Sequence, residues 1–342
     1  MFYEASKYLP MSDTFHRELQ TALTAVRQAA IVCRSVQSSI TTESLAKKDK
    51  SPVTVADFAS QAIVCRQLQI DFPNDPVIGE EGAAELKVPS GEEFLSRAVR
   101  ECAAAGVNAS PAEVCDWIDR GGAFEYSPRF WTLDPIDGTK GFLRKEQYAI
   151  SLALIIDGQI EIGVLGCPNM PFEGKPEGTG VLAWAVRGHG AWMQPLTEPD
   201  ATPVKIDVSK TSSAAEFRFC ESVESGHSSH DWSGLIASEL GIHLEPIRMD
   251  SQCKYLAVAR GDADLYLRLP TRKGYQEKIW DHAGGILVVL EAGGQVTDIN
   301  GKPPDFRQGS SLSQNEGMIV TNGKSHSAVV SAVSKHAPAD MA

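Results

Sequence analysis

The run Tyr148–Gly166, "YAISLALIIDGQIEIGVLG", constrains the fold most. Apolar and β-branched residues stand on both sides of Asp157-Gly158, a dipeptide suited to the tight turn between two antiparallel strands. A β-hairpin is therefore expected here. Other segments demand helices. From Ser12 to about Gln37, Phe15, Leu19, Leu23, Val26, Ala30 and Cys33 recur at three- and four-residue steps, which marks one buried helical stripe. A second helix is expected over Val55–Leu68, entered through Ser51-Pro52. "LYLRL" reads as a strand, and "DHAGGILVVLEAGG" as a helix closed by Gly293-Gly294. The polar stretches Ala103–Pro128 and Asn169–Gly180 are expected to be loops. The second of them marks the expected boundary between a subdomain over 1–170 and another over 171–342.

A chain of 342 residues exceeds the usual size of a single core, so two domains or one large layered unit are expected. With 42% hydrophobic and 22% charged residues, the composition is that of a globular protein. The net charge of −12 argues against a broad surface for nucleic acid or anionic membrane, which clustered Lys and Arg would provide. It leaves room for a small anionic ligand in a locally basic pocket. The cysteines, Cys33, Cys65, Cys102, Cys115, Cys167, Cys220 and Cys253, are odd in number and lack CxxC spacing. They read as reduced, buried thiols in a reducing compartment rather than a disulfide framework or zinc site. No apolar run reaches the roughly 18 residues a membrane span needs. The cytosol is the expected location, a monomer the expected state, and Met1–Met11 reads as a loose leader.

Function is concentrated in "WTLDPIDGTKGFLR", Trp131–Arg144. A residue before proline is pushed out of the helical region, so Asp134 is expected to end the strand "RFWTL" with its carboxylate projecting. Pro135 then turns the chain, which brings Asp137 beside Asp134 and points the Ile136 carbonyl near both. Two carboxylates and a carbonyl, with no His or Cys nearby, form a hard-oxygen set suited to Mg²⁺. Gly138 and Thr139 follow at an expected helix start, whose free N–H groups suit a phosphate. A competing reading is that Pro-x-Asp-Gly is simply a good turn. Further acids stand in "VIGEEG", with Glu80 and Glu81, and in "KIWDHAGG", with Asp281. Paired glutamates are usually solvated, and an Asp before a helix usually caps it.

Taken together, "SPVTVAD", "VIGEEG", "WTLDPIDGTKGFLR", "GHSSHD", "DSQCKY", "LYLRLP" and "YQEKIWDHAGG" resemble the 3′(2′),5′-bisphosphate nucleotidases. That family lies in the lithium-sensitive, Mg²⁺-dependent phosphatase superfamily that includes the inositol monophosphatases. The resemblance runs from about Ser51 to Gly285. It implies an α/β fold, the layered αβαβα sandwich of the inositol monophosphatase and fructose-1,6-bisphosphatase type, with the site between two subdomains. It implies two or three Mg²⁺ ions on Glu80, Asp134, the Ile136 carbonyl, Asp137 and Asp281. Asp57 and Thr139 are implied to activate the attacking water, and Gly138 and Thr139 to hold the phosphate. His227, Ser251, Lys254 and Arg268 correspond to residues around the nucleotide. On their own, "DSQCKY" and "YLRL" also read as plain structure with basic side chains snorkelling at the surface.

The implied reaction is hydrolysis of adenosine 3′,5′-bisphosphate to AMP and phosphate, with 3′-phosphoadenylyl sulfate as a second substrate and a link to sulfate assimilation. Two alternatives stay open: a phosphatase for inositol phosphates, and a non-catalytic sensor of phosphate ligands. Gly284 departs from the family pattern, which commonly has alanine there.

Overall fold

A computed structural model describes residues 15–40, 51–223 and 230–338. Seven strands form the first sheet: β1 (Val77–Gly79), β2 (Arg129–Asp137), β3 (Ala149–Ile156), β4 (Gln159–Cys167), β5 (Val181–Val186), β6 (Ala191–Pro195) and β7 (Val204–Ile206). They lie side by side in chain order. Only β1 and β2 run parallel; the other neighbours are antiparallel. The β3–β4 hairpin turns at Asp157-Gly158 as expected, with both residues at positive φ.

Alternation along these strands buries both faces of the sheet, as period-2 side-chain geometry requires. Trp131, Leu133, Leu152, Leu154, Val164 and Trp184 pack under the helices α1 (His16–Ser39) and α2 (Ser51–Asp71). Leu19, Leu23, Val26, Ala30 and Cys33 form the buried stripe of α1. That helix starts one turn later than Ser12, and residues 12–14 lie outside the described residues. The second helix is longer than Val55–Leu68, because Pro52 sits in its first turn, where a missing N–H costs nothing.

On the opposite face, Phe130, Ala153, Ile155, Leu165 and Ala183 share a core with Ile286, Leu287 and Val288. These three belong to the helix α8 (Ala283–Glu291), the one expected before Gly293-Gly294, and it lies beside α7 (Cys253–Ala259). Beyond them stands a second sheet, ordered β11 (Gln295–Thr297), β12 (Met318–Thr321), β10 (Leu265–Arg268), β8 (Phe219–Glu221) and β9 (Ile247–Arg248). Its outer face is covered by α6 (His230–Leu240) and α9 (His326–Lys335) through Phe219, Ile236, Leu265, Leu267, Ile319 and Val333. Helices, sheet, helices, sheet and helices thus stack in five layers, the expected αβαβα arrangement. The boundary expected at residue 170 falls between β4 and β5. The chain passes from the first sheet to the second after Ile206.

Two local expectations are corrected. Ala103–Pro128 is not a loop throughout: α3 (Glu92–Ala104) runs into it, and α4 (Pro111–Asp119) fills its middle. The start of α4 is a capping box in which the Glu113 N–H donates to the Ser110 hydroxyl and the Ser110 N–H to the Glu113 carboxylate. Nor does β2 end at Asp134. It continues to Asp137 through a register shift, Asp134 facing Ser151 and Asp137 facing Ala149, so that Pro135-Ile136 forms a bulge. Among the described residues, no helix is long and apolar enough to cross a membrane.

Candidate active site

The bulge puts Asp134, Ile136 and Asp137 at the wall of one cleft of about 210 Å³. Behind it, the Ser60 hydroxyl on α2 donates to the Pro135 carbonyl at 3.0 Å, and the Thr132 hydroxyl donates to the Ile78 carbonyl at 3.0 Å. Glu80 enters from the end of β1. Gln61 fixes its loop, donating to the Glu81 carbonyl and accepting from the Glu81 N–H at 3.1 Å. Asp281 comes from the turn before α8, across the junction between the sheets.

Of the residues expected to form a site, Glu80, Asp134, Ile136, Asp137, Gly138, Thr139, Ser251, Lys254, Arg268 and Asp281 line this cleft. Asp57 is buried on α2 beside them, close enough for its charge to act on Glu80 and Asp134. His227 lies outside the described residues. Gly138 opens α5 (Thr139–Leu143), a single turn, at φ 88°, where a Cβ would also meet the Ser251 Cβ at 2.8 Å. Only glycine fits this approach of the two chain segments.

Crowded carboxylates leave an electrostatic signature. Burial first, then the charges of Glu80, Asp137, Asp281 and Asp57, hold the Asp134 carboxyl well above the ordinary carboxylate range. Burial and the charges of Glu81 and Glu80 do the same to Asp57. Asp281 is pushed up to about 7, mainly by burial, against the opposing pull of His282. Burial and Glu81 likewise push Glu80 to about 7, though much of that side chain faces water at the rim, where screening is strong. Asp137 is raised less freely: burial lifts it, while Lys254, the Gln252 N–H and Arg268 pull it down. Among the described residues, one oxygen each of Asp57 and Asp134 is buried without a hydrogen-bond partner.

The facing wall is built differently. Tyr266 and Arg268 alternate with Leu265 and Leu267 along β10, so the polar pair looks into the cleft while the leucines enter the outer core. Lys254 is buried, donates to the Ser251 carbonyl at 2.9 Å and lies 5.1 Å over the Tyr266 ring. Burial lowers its pKa, with Asp137 opposing. Arg268 donates to Glu277 at 3.2 Å. Burial alone would raise the Glu277 carboxyl, but hydrogen bonding to His282 and the Arg268 charge outweigh it and hold it at about 2. His282 stands between Glu277 at 3.2 Å and the Tyr255 hydroxyl at 2.7 Å; with a hydrogen on Nε2 the ring donates to the carboxylate.

Ligand-type atoms of Glu277, Asp281 and His282 also lie within 4.8 Å of one another. This compact group shares only Asp281 with the expected metal set. Glu277 and His282 already use their polar atoms on each other, on Arg268 and on Tyr255, and Asp281 is the member outside these bonds.

Sequence reasoning missed Gln252, Tyr255, Tyr266 and His282, all of which line the cleft. The alternation in "LYLR" signalled Tyr266. The other three stand within quoted motifs but carry no local pattern of their own. A second cleft of about 230 Å³, lined by Pro270, Arg272 and Tyr275 among others, shares Arg268 with the first.

Comparisons with known proteins agree with this architecture. The model of the inositol monophosphatase family matches residues 14–337. A 3′(2′),5′-bisphosphate nucleotidase of Schizosaccharomyces pombe is 43% identical over 325 residues, covering 90% of this chain and 92% of the relative. The protein of that name from Emericella nidulans is 40% identical, covering 94% and 99%. Among solved structures, inositol monophosphatase II of Staphylococcus aureus superposes with a TM-score of 0.61 at 19% identity, covering 94% of this chain and 97% of that one. The inositol monophosphatase of Anabaena gives 0.56 at 21% identity, covering 93% and 97%. With a family match over nearly its whole described length and the same layered fold, the chain belongs to the inositol monophosphatase family.

Proposed function

We propose that this chain is a Mg²⁺-dependent phosphomonoesterase that hydrolyses adenosine 3′,5′-bisphosphate to AMP and phosphate. One observation carries the reading: a wall of carboxylates with unpartnered buried oxygens faces a wall of buried cations across a single cleft. The names of relatives at 40% and 43% identity support a bisphosphate nucleotide as the substrate. The second cleft beyond Arg268 offers room for a substrate larger than one phosphate and a ring. The reading extends to 3′-phosphoadenylyl sulfate, the sulfated analogue, and to a role in sulfate assimilation.

The donor set fits the metal. Orphaned oxygens of Asp57 and Asp134 sit among further carboxylates, and an all-oxygen set suits a hard divalent cation. Glu80, Asp134, the Ile136 carbonyl, Asp137 and Asp281 would hold two or three ions. Bound there, Mg²⁺ supplies charge stabilisation at the phosphoryl group and a more acidic water.

The remaining steps belong to the chain. Asp57, with Thr139, accepts the proton of the attacking water as its oxygen bonds to phosphorus and the bond from phosphorus to the 3′ oxygen breaks, and that oxygen takes up a proton from solvent water to give the hydroxyl of AMP. The Gly138 and Thr139 amides orient the phosphate. Lys254 and Arg268 hold anionic oxygens, Arg268 as a fork already oriented by Glu277. Ser251 and His227 complete the nucleotide contacts. In this reading residues up to 170 supply most metal ligands, while the later half adds Asp281 and the nucleotide-binding groups. In this reading the chain acts as a monomer. All seven cysteines are buried and unpaired, which supports the reducing cytosol.

The test is phosphate release from adenosine 3′,5′-bisphosphate, 3′-phosphoadenylyl sulfate, inositol monophosphate and inositol bisphosphate, with Mg²⁺ and with chelator. Turnover of the nucleotides with Mg²⁺ alone is expected. Preference for the inositol phosphates would favour the competing reading that the family-level match permits. Calorimetric binding without phosphate release would make the chain a sensor.

A further inference from the structure

Gln252 is buried at the seam between the two sheets, and no part of the proposed reaction uses it. Its polar groups reach four separate places. The backbone N–H donates to the Asp137 carboxylate at 2.5 Å. The side-chain oxygen accepts from the Ser151 hydroxyl at 3.1 Å and from the Gly285 N–H at 3.0 Å. The side-chain nitrogen donates to the Trp280 carbonyl at 2.9 Å.

These contacts are placed around the carboxylates. Ser151 is the residue directly across from Asp134 in the β2–β3 pairing. Trp280 precedes Asp281, and Gly285 follows it in the first turn of α8, so one amide grips the backbone on both sides of Asp281. Packing leaves no slack in the arrangement. A Cβ at Gly284 would lie 2.6 Å from the Ser151 oxygen, and one at Gly285 would lie 2.5 Å from the Tyr255 ring. Glutamate could not donate to the Trp280 carbonyl, and asparagine is one methylene too short to span the same partners.

We infer that Gln252 is a positioning residue that sets Asp281 against Asp137, so that carboxylates carried by different layers can share divalent cations. The inference rests on the metal reading of the cleft. Groups that orient metal ligands through hydrogen bonds typically contribute about 10–100-fold in metal affinity.

The experiment compares Gln252→Met, which keeps length and backbone N–H, with Gln252→Glu, which keeps the acceptor, loses the donor and adds a carboxylate. Binding of Mn²⁺, an oxygen-seeking stand-in for Mg²⁺, is read from the electron paramagnetic resonance of the free ion. The Mn²⁺ dissociation constant is expected to rise about tenfold or more in Gln252→Met and less in Gln252→Glu. The Mg²⁺ concentration for half-maximal phosphate release should rise in parallel. A purely architectural glutamine would lower the melting temperature in chelator and leave the Mn²⁺ constant alone. Constants within about twofold of the unaltered chain in both folded variants would overturn the inference. Should Gln252→Met not fold, Ser151→Ala removes one bond to the same amide, and an unchanged Mn²⁺ constant there would overturn it as well. Absence of Mn²⁺ binding to the unaltered chain would instead sink the metal reading itself, and this inference with it.

Discussion

The two walls of the cleft solve opposite electrostatic problems. On the first sheet and α2, Asp57, Glu80, Asp134 and Asp137 repel one another, and two of their buried oxygens have no partner. On the second, Arg268, Glu277, His282 and Tyr255 form a chain in which each polar group meets the next. One wall leaves buried oxygens unmatched among the described residues, whereas the other matches its polar groups within the protein. Charge that is left unpaired at a cost in stability points to a ligand, and charge that is already paired points to orientation.

The largest effect should come from breaking the unmatched wall. Asp134→Asn is expected to lower phosphate release by about 10⁴-fold, since cation-borne charge stabilisation amounts to several kcal/mol. The same substitution should raise the melting temperature in chelator, because it removes one of several repelling charges, and it should reduce the stabilisation gained on adding Mg²⁺. Scanning calorimetry with and without Mg²⁺ reads both signs. A melting temperature that falls in chelator would mean that the carboxylates are not in conflict.

Asp57 sharpens the comparison within the acidic wall. Asp57→Asn should slow turnover about 10³-fold while Mn²⁺ still binds, because a general base contributes to chemistry rather than to holding the ions. Turnover near normal would remove Asp57 from the reaction. Lost Mn²⁺ binding would make it a ligand instead.

The matched wall should respond to its own partners and not to metal. Glu277→Gln leaves the Arg268 charge without its counterion, and stability should fall by about 3 kcal/mol, equally in chelator and in Mg²⁺. KM for the nucleotide should rise with little change in the Mn²⁺ constant. If the loss of stability vanished on adding Mg²⁺, the two walls would not be independent.

How much of this was legible in the sequence follows the same division. The hairpin, the helices and the acids of the bulge were readable because each rests on a local pattern: an Asp-Gly turn, a helical stripe, a proline between two aspartates. The capping box of α4 is equally local, in "SPAEVCDWID", and marks a helix inside a stretch whose polarity alone suggests a loop. The bulge itself was not legible, since a strand that runs on through Pro135 depends on β3 pairing beside it. Gln252 and His282 were the least readable. Their roles come from partners 28 to 115 residues away for one and 5 to 27 for the other, and no spacing rule links them.

The smallest effect separates the walls by the sign of their pH response. In the metal-free protein, Asp281 sits at about 7, above its ordinary value of 3.8, so the folded chain holds more protons than the unfolded one between about 4 and 7. Its contribution is present at low pH and is lost as pH rises through 7. Glu277 behaves inversely. Held at about 2 against 4.5, it contributes stability above about 4.5 that is lost as pH falls toward 2. In chelator, the melting temperature should therefore pass through a maximum near pH 4–5 and decline toward pH 7.5. Asp281→Asn should flatten that decline without altering the acid limb, and Mg²⁺ should reverse it, because ligands must be deprotonated to bind. A melting temperature that climbs steadily from pH 4.5 to 7.5 in chelator would show that water screens the acidic wall, and the contrast between the two walls would fail.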